Sequence, residues 1–124
     1  MKKIIFLINL IFIFTSCSGL KSKVGSNTEG IASWYGDKYH GRRTASGEKY
    51  DMRKYTAAHK ELPFGTIVKI TNLENKKSVN VRINDRGPFI KGREIDLSKK
   101  SFETIAPISK GVIPVKIKVI EIPN

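Results

Sequence analysis

The chain of 124 residues has a single cysteine, Cys17, so no intramolecular disulfide can staple it. It must hold together by packing, and its length allows one domain with a modest core. Two histidines, His40 and His59, without a second thiol make no metal-ligand cluster of known spacing; neither a metal nor another cofactor is expected. Acidic residues are scarce, 11 against 23 lysines and arginines, for a formal charge of +12. The lysines are scattered, and Lys76-Lys77 and Lys99-Lys100 are only pairs. Such a surface attracts polyanions as a class without naming one. The apolar run Ile4 to Phe14 has 11 residues broken only by Asn9. That falls short of the roughly 20 residues a membrane span requires.

What is present at the start is an export signal. Lys2 and Lys3 precede the apolar run, and Thr15-Ser16 supply small residues directly before Cys17. Small residues followed by one cysteine resemble a bacterial lipobox, in which the cysteine is acylated and becomes the new N-terminus. Phe14 stands where that motif usually has leucine. Residues 1–16 are therefore expected to be a signal peptide, and residues 17–29 a lipidated N-terminus with a polar, flexible tether. Loss of Lys2 and Lys3 lowers the charge from +12 to +10. Export also removes the chain from nucleic acid, and no nucleic-acid motif appears.

From Gly30 the composition shifts. Alternation predicts strands over 30–36, 55–59, 66–72, 78–85 and 112–122, with 66–72 and 78–85 forming a hairpin. Residues 37–50, rich in Gly, Arg and hydroxyls, form a long loop. Ser98 is a natural N-cap for one helix that carries Phe102, Ile105 and Ala106 on a single face before Pro107 stops it. A faint echo links Gly65-Thr-Ile-Val-Lys-Ile with Gly111-Val-Ile-Pro-Val-Lys-Ile. Short alternating strands with one small helix predict a compact barrel built from two similar halves.

Asp85 is the outstanding candidate for chemistry. Val79, Val81 and Ile83 alternate with Asn80, Arg82 and Asn84, which leaves Asp85 in phase with the apolar face where Gly87-Pro88 turns the chain. A carboxylate at the rim of a core is desolvated, and its pKa is expected to rise toward the range of a proton donor. The bland alternative is an Asp that caps its own turn.

Together the blocks Gly30-Ile-Ala-Ser-Trp-Tyr-Gly, His40-Gly-Arg-Arg-Thr-Ala-Ser-Gly-Glu48, Thr56-Ala-Ala-His59, Leu62-Pro-Phe-Gly-Thr66, Val68-Lys-Ile-Thr-Asn72, Val81-Arg-Ile-Asn-Asp-Arg-Gly-Pro-Phe89 and Ile95-Asp-Leu-Ser98 resemble the rare lipoprotein A family. The resemblance covers residues 30–122. It implies a mainly β fold, a six-stranded double-psi β-barrel with one or two short helices, related to barwin and expansins. It implies a lipid-anchored endolytic lytic transglycosylase that cleaves denuded peptidoglycan glycan strands and leaves 1,6-anhydro-muramyl ends. The alternative is a non-catalytic glycan-binding, wall-loosening protein of expansin type.

The resemblance places catalytic roles on Asp85, Glu48 and His59. Asp85 is expected to act as acid and then base, and Glu48, more exposed and ionised, to stabilise positive charge or orient substrate. His59 is expected to hold Asp85 or a substrate hydroxyl. Tyr35, Thr44, Ser46 and Arg86 are the expected substrate contacts, Trp34 is expected in the core, and Asp96 is expected to support the helix N-terminus. His40 receives no role. The expected partners are glycan strands and, through Cys17, a membrane, the outer in preference to the inner, facing the periplasm. The protein is expected to be a monomer, without the C-terminal glycan-binding module that many family members carry.

Overall fold

The computed structural model describes residues 23–124. The expected signal peptide, Cys17 and residues 18–22 of the expected tether lie outside the described residues. Six strands form the fold: β1 (Asn27–Tyr35), β2 (Thr56–His59), β3 (Ile67–Asn72), β4 (Ser78–Asp85), β5 (Ile95–Ser98) and β6 (Ile113–Glu121). One helix, α1 (Lys99–Ile105), and two single 3-10 turns at Asp37–Tyr39 and Ile108–Lys110 complete it. The strands close into a barrel in the order β1-β5-β2-β4-β3-β6. The pairs β1/β5 and β2/β4 are parallel, and the remaining four are antiparallel.

Alternation explains most of this architecture. In β3, Val68 and Ile70 are buried while Lys69 is exposed; in β6, Val115, Ile117 and Val119 are buried against exposed Lys116 and Lys118. These side chains meet Val81, Ile83, Ile95 and Leu97 inside the barrel. The echoed segments are neighbours, with Val68 paired to Val119 and Ile70 to Ile117. Gly65 and Gly111, which open the two segments, both have positive φ (95° and 73°), where a side chain would be strained.

Two local features depart from the alternation pattern. The first strand begins at Asn27, inside the segment expected to be tether, because Asn27 to Ala32 pair with β6. Ile95 to Ser98 form a strand that simple alternation over so short a stretch did not predict. β5 is wedged between β1 and β2.

Helix α1 lies on the barrel through Phe102 and Ile105, both fully buried. Ser98 caps it as expected: its Oγ accepts from the Ser101 N–H at 3.1 Å. At the other end, the Ile105 carbonyl accepts from Asn72 Nδ2 (2.8 Å) and Asn75 Nδ2 (3.0 Å), which ties the helix to the β3–β4 turn. Pro107 follows directly, where it cannot continue the helix. Phe102 also meets the Trp34 ring, whose Nε1 donates to the Ile108 carbonyl, so Trp34 packs against the core as expected.

Phe102→Ala should cost about 3–5 kcal/mol, the usual loss for a buried aromatic that leaves a cavity. Calorimetry should show a markedly lower melting temperature with the same barrel circular dichroism at low temperature. A loss below about 1 kcal/mol would mean that α1 is not part of the core.

Candidate active site

The site is built from one row of the sheet. β1 pairs Ser33 with Asp96 of β5, β5 pairs Asp96 with Ala58 of β2, and β2 pairs Ala58 with Asp85 of β4. Ser33, Asp96, Ala58 and Asp85 therefore stand side by side across four strands. Asp85 reaches this row only because β4 slips by one residue: Ala57 pairs with Ile83, yet Ala58 pairs with Asp85. Asn84 is the extra residue, and an inserted residue of this kind re-aims the side chain that follows it. The expectation that Asp85 keeps the phase of Ile83 and points toward the core is thus corrected. Ile83 is inside the barrel, whereas Asp85 is half-buried and lines an outer cavity.

That cavity has a volume of about 430 Å³. Asp85, Asp96 and Ala58 line it, with Tyr35, Tyr39 and Tyr50 on one side and the Arg86–Ile90 turn on the other. Arg42, Arg43 and Thr44 complete the wall. Gly87–Pro88 is a cis peptide within that turn. Phe89 is 82 % exposed at the rim.

The two carboxylates differ in environment. Asp85 Oδ1 accepts from the backbone N–H of Ala45 (2.9 Å) and of Arg86 (2.8 Å), which ties the 44–48 loop to the end of β4. Its Oδ2 has no partner among the described residues and is not buried. Asp96 Oδ1 accepts from the Ser33 hydroxyl. Burial pushes the Asp96 carboxyl above its usual range, and the charge of Asp85 adds to the rise; the Ser33 hydrogen bond and Arg93 oppose it. Asp96 is therefore a desolvated carboxylate of the site. Asp96 does not serve the helix N-terminus, which Ser98 caps alone.

Tyr35 lies beside both acids. Burial first, then the charges of Asp85, Tyr50 and Asp96, hold its phenol far above the usual tyrosine range. Its hydroxyl is buried with no hydrogen-bond partner among the described residues. It stays protonated and is a donor in waiting. Tyr50 packs on it at 4.4 Å between ring centroids, and the Tyr50 hydroxyl donates to the Tyr35 carbonyl at 2.6 Å.

The other expected site residues divide. Thr44 lines the cavity, but its hydroxyl is committed to the Glu48 carbonyl (2.8 Å) and the Ser46 hydroxyl (2.9 Å). Ser46 serves the turn, accepting from Glu48 N–H, and does not line the cavity. Arg86 lines it, yet its Nη1 donates to the carbonyls of Leu62 (2.9 Å) and His59 (3.3 Å), and its guanidinium stacks on Phe64 at 4.1 Å. Its role is to hold the turn.

Glu48 is not brought into the cavity of Asp85. It lines a neighbouring groove with His40, Lys54 and Arg82, and Tyr50 borders both depressions. Both Glu48 oxygens pair with Arg82 (2.7 and 2.9 Å), and Asn84 Nδ2 donates to Oε1 at 3.1 Å. The hydrogen bond from Arg82, then that from Asn84, hold Glu48 below the usual carboxylate range. Glu48 thus grips the residue that creates the slip in β4.

His59 does not hold Asp85 either. Strand alternation sends Ala58 to the cavity and His59 to the opposite side, where it borders a small pocket with Glu61, Leu62 and Glu94. Its Nδ1 accepts from the N–H of Glu61 and Leu62, both at 3.1 Å, and burial lowers its pKa. Asp96 is the site residue that its expected helix-capping role concealed. The signal that would have revealed it is local: an acid between two buried residues, Ile95 and Leu97, in a strand.

The closed six-stranded barrel in this strand order, with its carboxylate-lined cavity on the outer wall, is a fold of the double-psi β-barrel class. Solved structures agree on the fold. A Streptomyces papain inhibitor superposes with a TM-score of 0.68 at 23% identity, covering 82% of this chain and 100% of the inhibitor. An expansin from Clavibacter michiganensis, solved in complex with cellohexaose, gives 0.63 at 18% identity over 80% of this chain and 52% of its own. Residues 27–117 match the family described as lytic transglycolase, and the chain belongs to it as an RlpA-like double-psi β-barrel. The protein named endolytic peptidoglycan transglycosylase RlpA in Campylobacter jejuni is 53% identical over 97 residues, 78% of this chain. The protein of the same name in Neisseria meningitidis is 50% identical over 99 residues, 79% of this chain. The chain spans only 35% and 41% of the lengths of these two relatives.

Because the folded-state pKa of Asp96 is raised, its charged form costs stability. That cost is absent below the usual Asp value of 3.8 and appears as pH rises through the raised value. Asp96→Asn should therefore melt higher than the wild type at pH 7, and the gap should close as pH falls toward about 4. Melting curves that keep the same gap at both pH values would show that Asp96 is not desolvated.

Proposed function

We propose that the chain is an exported endolytic peptidoglycan lytic transglycosylase, anchored through acylated Cys17 and acting on denuded glycan strands. The names of the relatives support the activity class. The observation that carries the chemistry is the row in which Asp85 and Asp96 flank Ala58 on the cavity floor. Two carboxylates held in different environments at one cavity can divide the work. Burial favours the protonated form of Asp96, and Asp85 is the member whose free oxygen meets the glycan.

In this reading the pair gives a proton to the glycosidic oxygen as its bond to C1 of the muramyl ring breaks. The C6 hydroxyl of the same ring then bonds to C1, and its proton returns to the pair. No water is consumed, the pair ends as it began, and the product carries a 1,6-anhydro-muramyl end. The Asp85 charge faces the developing positive centre, and Tyr35 offers a neutral hydroxyl to a sugar oxygen. Glu48 is a positioning residue, acting through Asn84. We place the anchored domain in the cell envelope facing the periplasm, on the outer membrane in preference to the inner, and working as a monomer.

Asp85→Asn and Asp96→Asn should each slow release of anhydro ends from denuded glycan by about 10²–10⁴-fold, the usual worth of a general acid or base. Asp85→Asn should keep the wild-type melting temperature and Asp96→Asn should not fall below it, both should retain glycan affinity, and mass spectrometry of the digests reads the rate. Near wild-type release by Asp85→Asn would remove it from the chemistry. Glycan bound but never cleaved by the wild type would favour the wall-loosening alternative.

A further inference from the structure

The barrel wall opposite the cavity carries an unusual arrangement of charge. In the ring of six strands, β3 stands across from β5 and β6 across from β2, the two strands that supply Asp96 and Ala58. Lys69, Lys116 and Lys118 project from β3 and β6 as exposed residues. Lys69 and Lys118 are direct cross-strand partners, an arrangement of like charges that costs stability. None of the three forms an ion pair among the described residues. Glu29 is in register with Lys116 but beyond ion-pair distance, and Glu121 is paired along the ladder with Ile67.

Apolar side chains accompany these lysines. Ile120 is 39 % exposed at a slip in the β3/β6 register, and Val24 is 62 % exposed. The segment carrying Val24 is bound to the same strand, with Gly25 N–H donating to the Val119 carbonyl at 2.7 Å. Asn27 pairs with Lys118, so the chain enters the barrel on this face. Tyr35, at the far end of β1, is about 26 Å from that entry at the usual rise per strand residue. Cys17 stands six residues before Lys23, a reach of about 20 Å when extended.

We propose that this face, Lys69, Lys116 and Lys118 with Val24 and Ile120, docks on anionic lipid headgroups and turns the cavity away from the bilayer. Basic side chains attract the anionic surface, and neighbouring apolar ones enter the interface. A soluble polyanion would satisfy the lysines but leave Val24 and Ile120 without a partner, so the mixture favours lipid. The proposal rests on the lipid-anchor reading only for what brings the chain to the bilayer. The face itself is separate from the glycan chemistry.

The test uses the full chain with vesicles of phosphatidylcholine alone or containing phosphatidylglycerol, and reads lysine acylation residue by residue by mass spectrometry. Lys69, Lys116 and Lys118 should react more slowly only on the phosphatidylglycerol vesicles, while Lys49 and Lys54, beside Glu48, react equally on both. The double variant Lys69→Gln/Lys118→Gln should lose the protection of Lys116 and bind these vesicles more weakly, by about fivefold per lysine removed. Lys38→Gln/Lys91→Gln, equal in charge but on the cavity side, where Lys38 lines a depression with Ile90 and Asp96, should change neither. Uniform protection, protection of Lys49 and Lys54 instead, or protection by soluble polyphosphate but not by vesicles would each overturn the proposal. No cleavage is measured, so a failure of the glycan chemistry leaves this result readable.

Discussion

One strand pairing governs the site: Ala58 of β2 lies between Asp96 of β5 and Asp85 of β4. Backbone hydrogen bonds across a sheet fix the lateral order of side chains, so the two acids cannot drift apart without breaking the barrel. The small Ala58 side chain between them leaves room for a cavity where a larger residue would fill the gap. Closure matters as well. A closed barrel has no free edge at which this register could slide. The same rigidity that buries Ile83, Ile95 and Leu97 therefore sets the geometry of the acids on the outer side.

The slip at Asn84 is the local price of that arrangement. It breaks the alternation of β4 and leaves Asn84 Oδ1 buried without a partner among the described residues. Contacts made from far along the chain hold it. Glu48, clamped by Arg82, takes the Asn84 amide, and Ala45 donates to Asp85 from the same loop. Arg86 then secures the following turn on the carbonyls of His59 and Leu62. In this scheme Glu48, His59 and Arg86 act as a frame around the acids. Their contribution to chemistry passes through the position of Asp85.

Much of the fold was legible because strand phase is a local signal. Val68 and Ile70 against Lys69, and Val115, Ile117 and Val119 against Lys116 and Lys118, gave β3 and β6 their inner faces directly. Ser98 announced its helix through its own side chain. The site was less legible, because its decisive features are relations between distant residues. A one-residue slip cannot be read from Val81-Arg82-Ile83-Asn84-Asp85, where the alternation looks unbroken. Four residues of β5 are too few to show a period, so Asp96 looked like part of a helix cap. Arg86 and Glu48 looked free for substrate because their partners, the Leu62 carbonyl and Arg82, are identified only by folding. His59 sits next to a cavity residue in sequence, and for that reason faces the other way.

The central claim is that Asp85 and Asp96 form one electrostatic pair on the cavity floor. Carboxyl-carbon NMR titration of the two residues, in the wild type and in Asp85→Asn, tests it most directly. Asp96 should titrate above the usual Asp value of 3.8, and its midpoint should fall when the Asp85 charge is removed. An Asp96 midpoint at the usual value, unmoved by Asp85→Asn, would contradict the pairing on which the site is built.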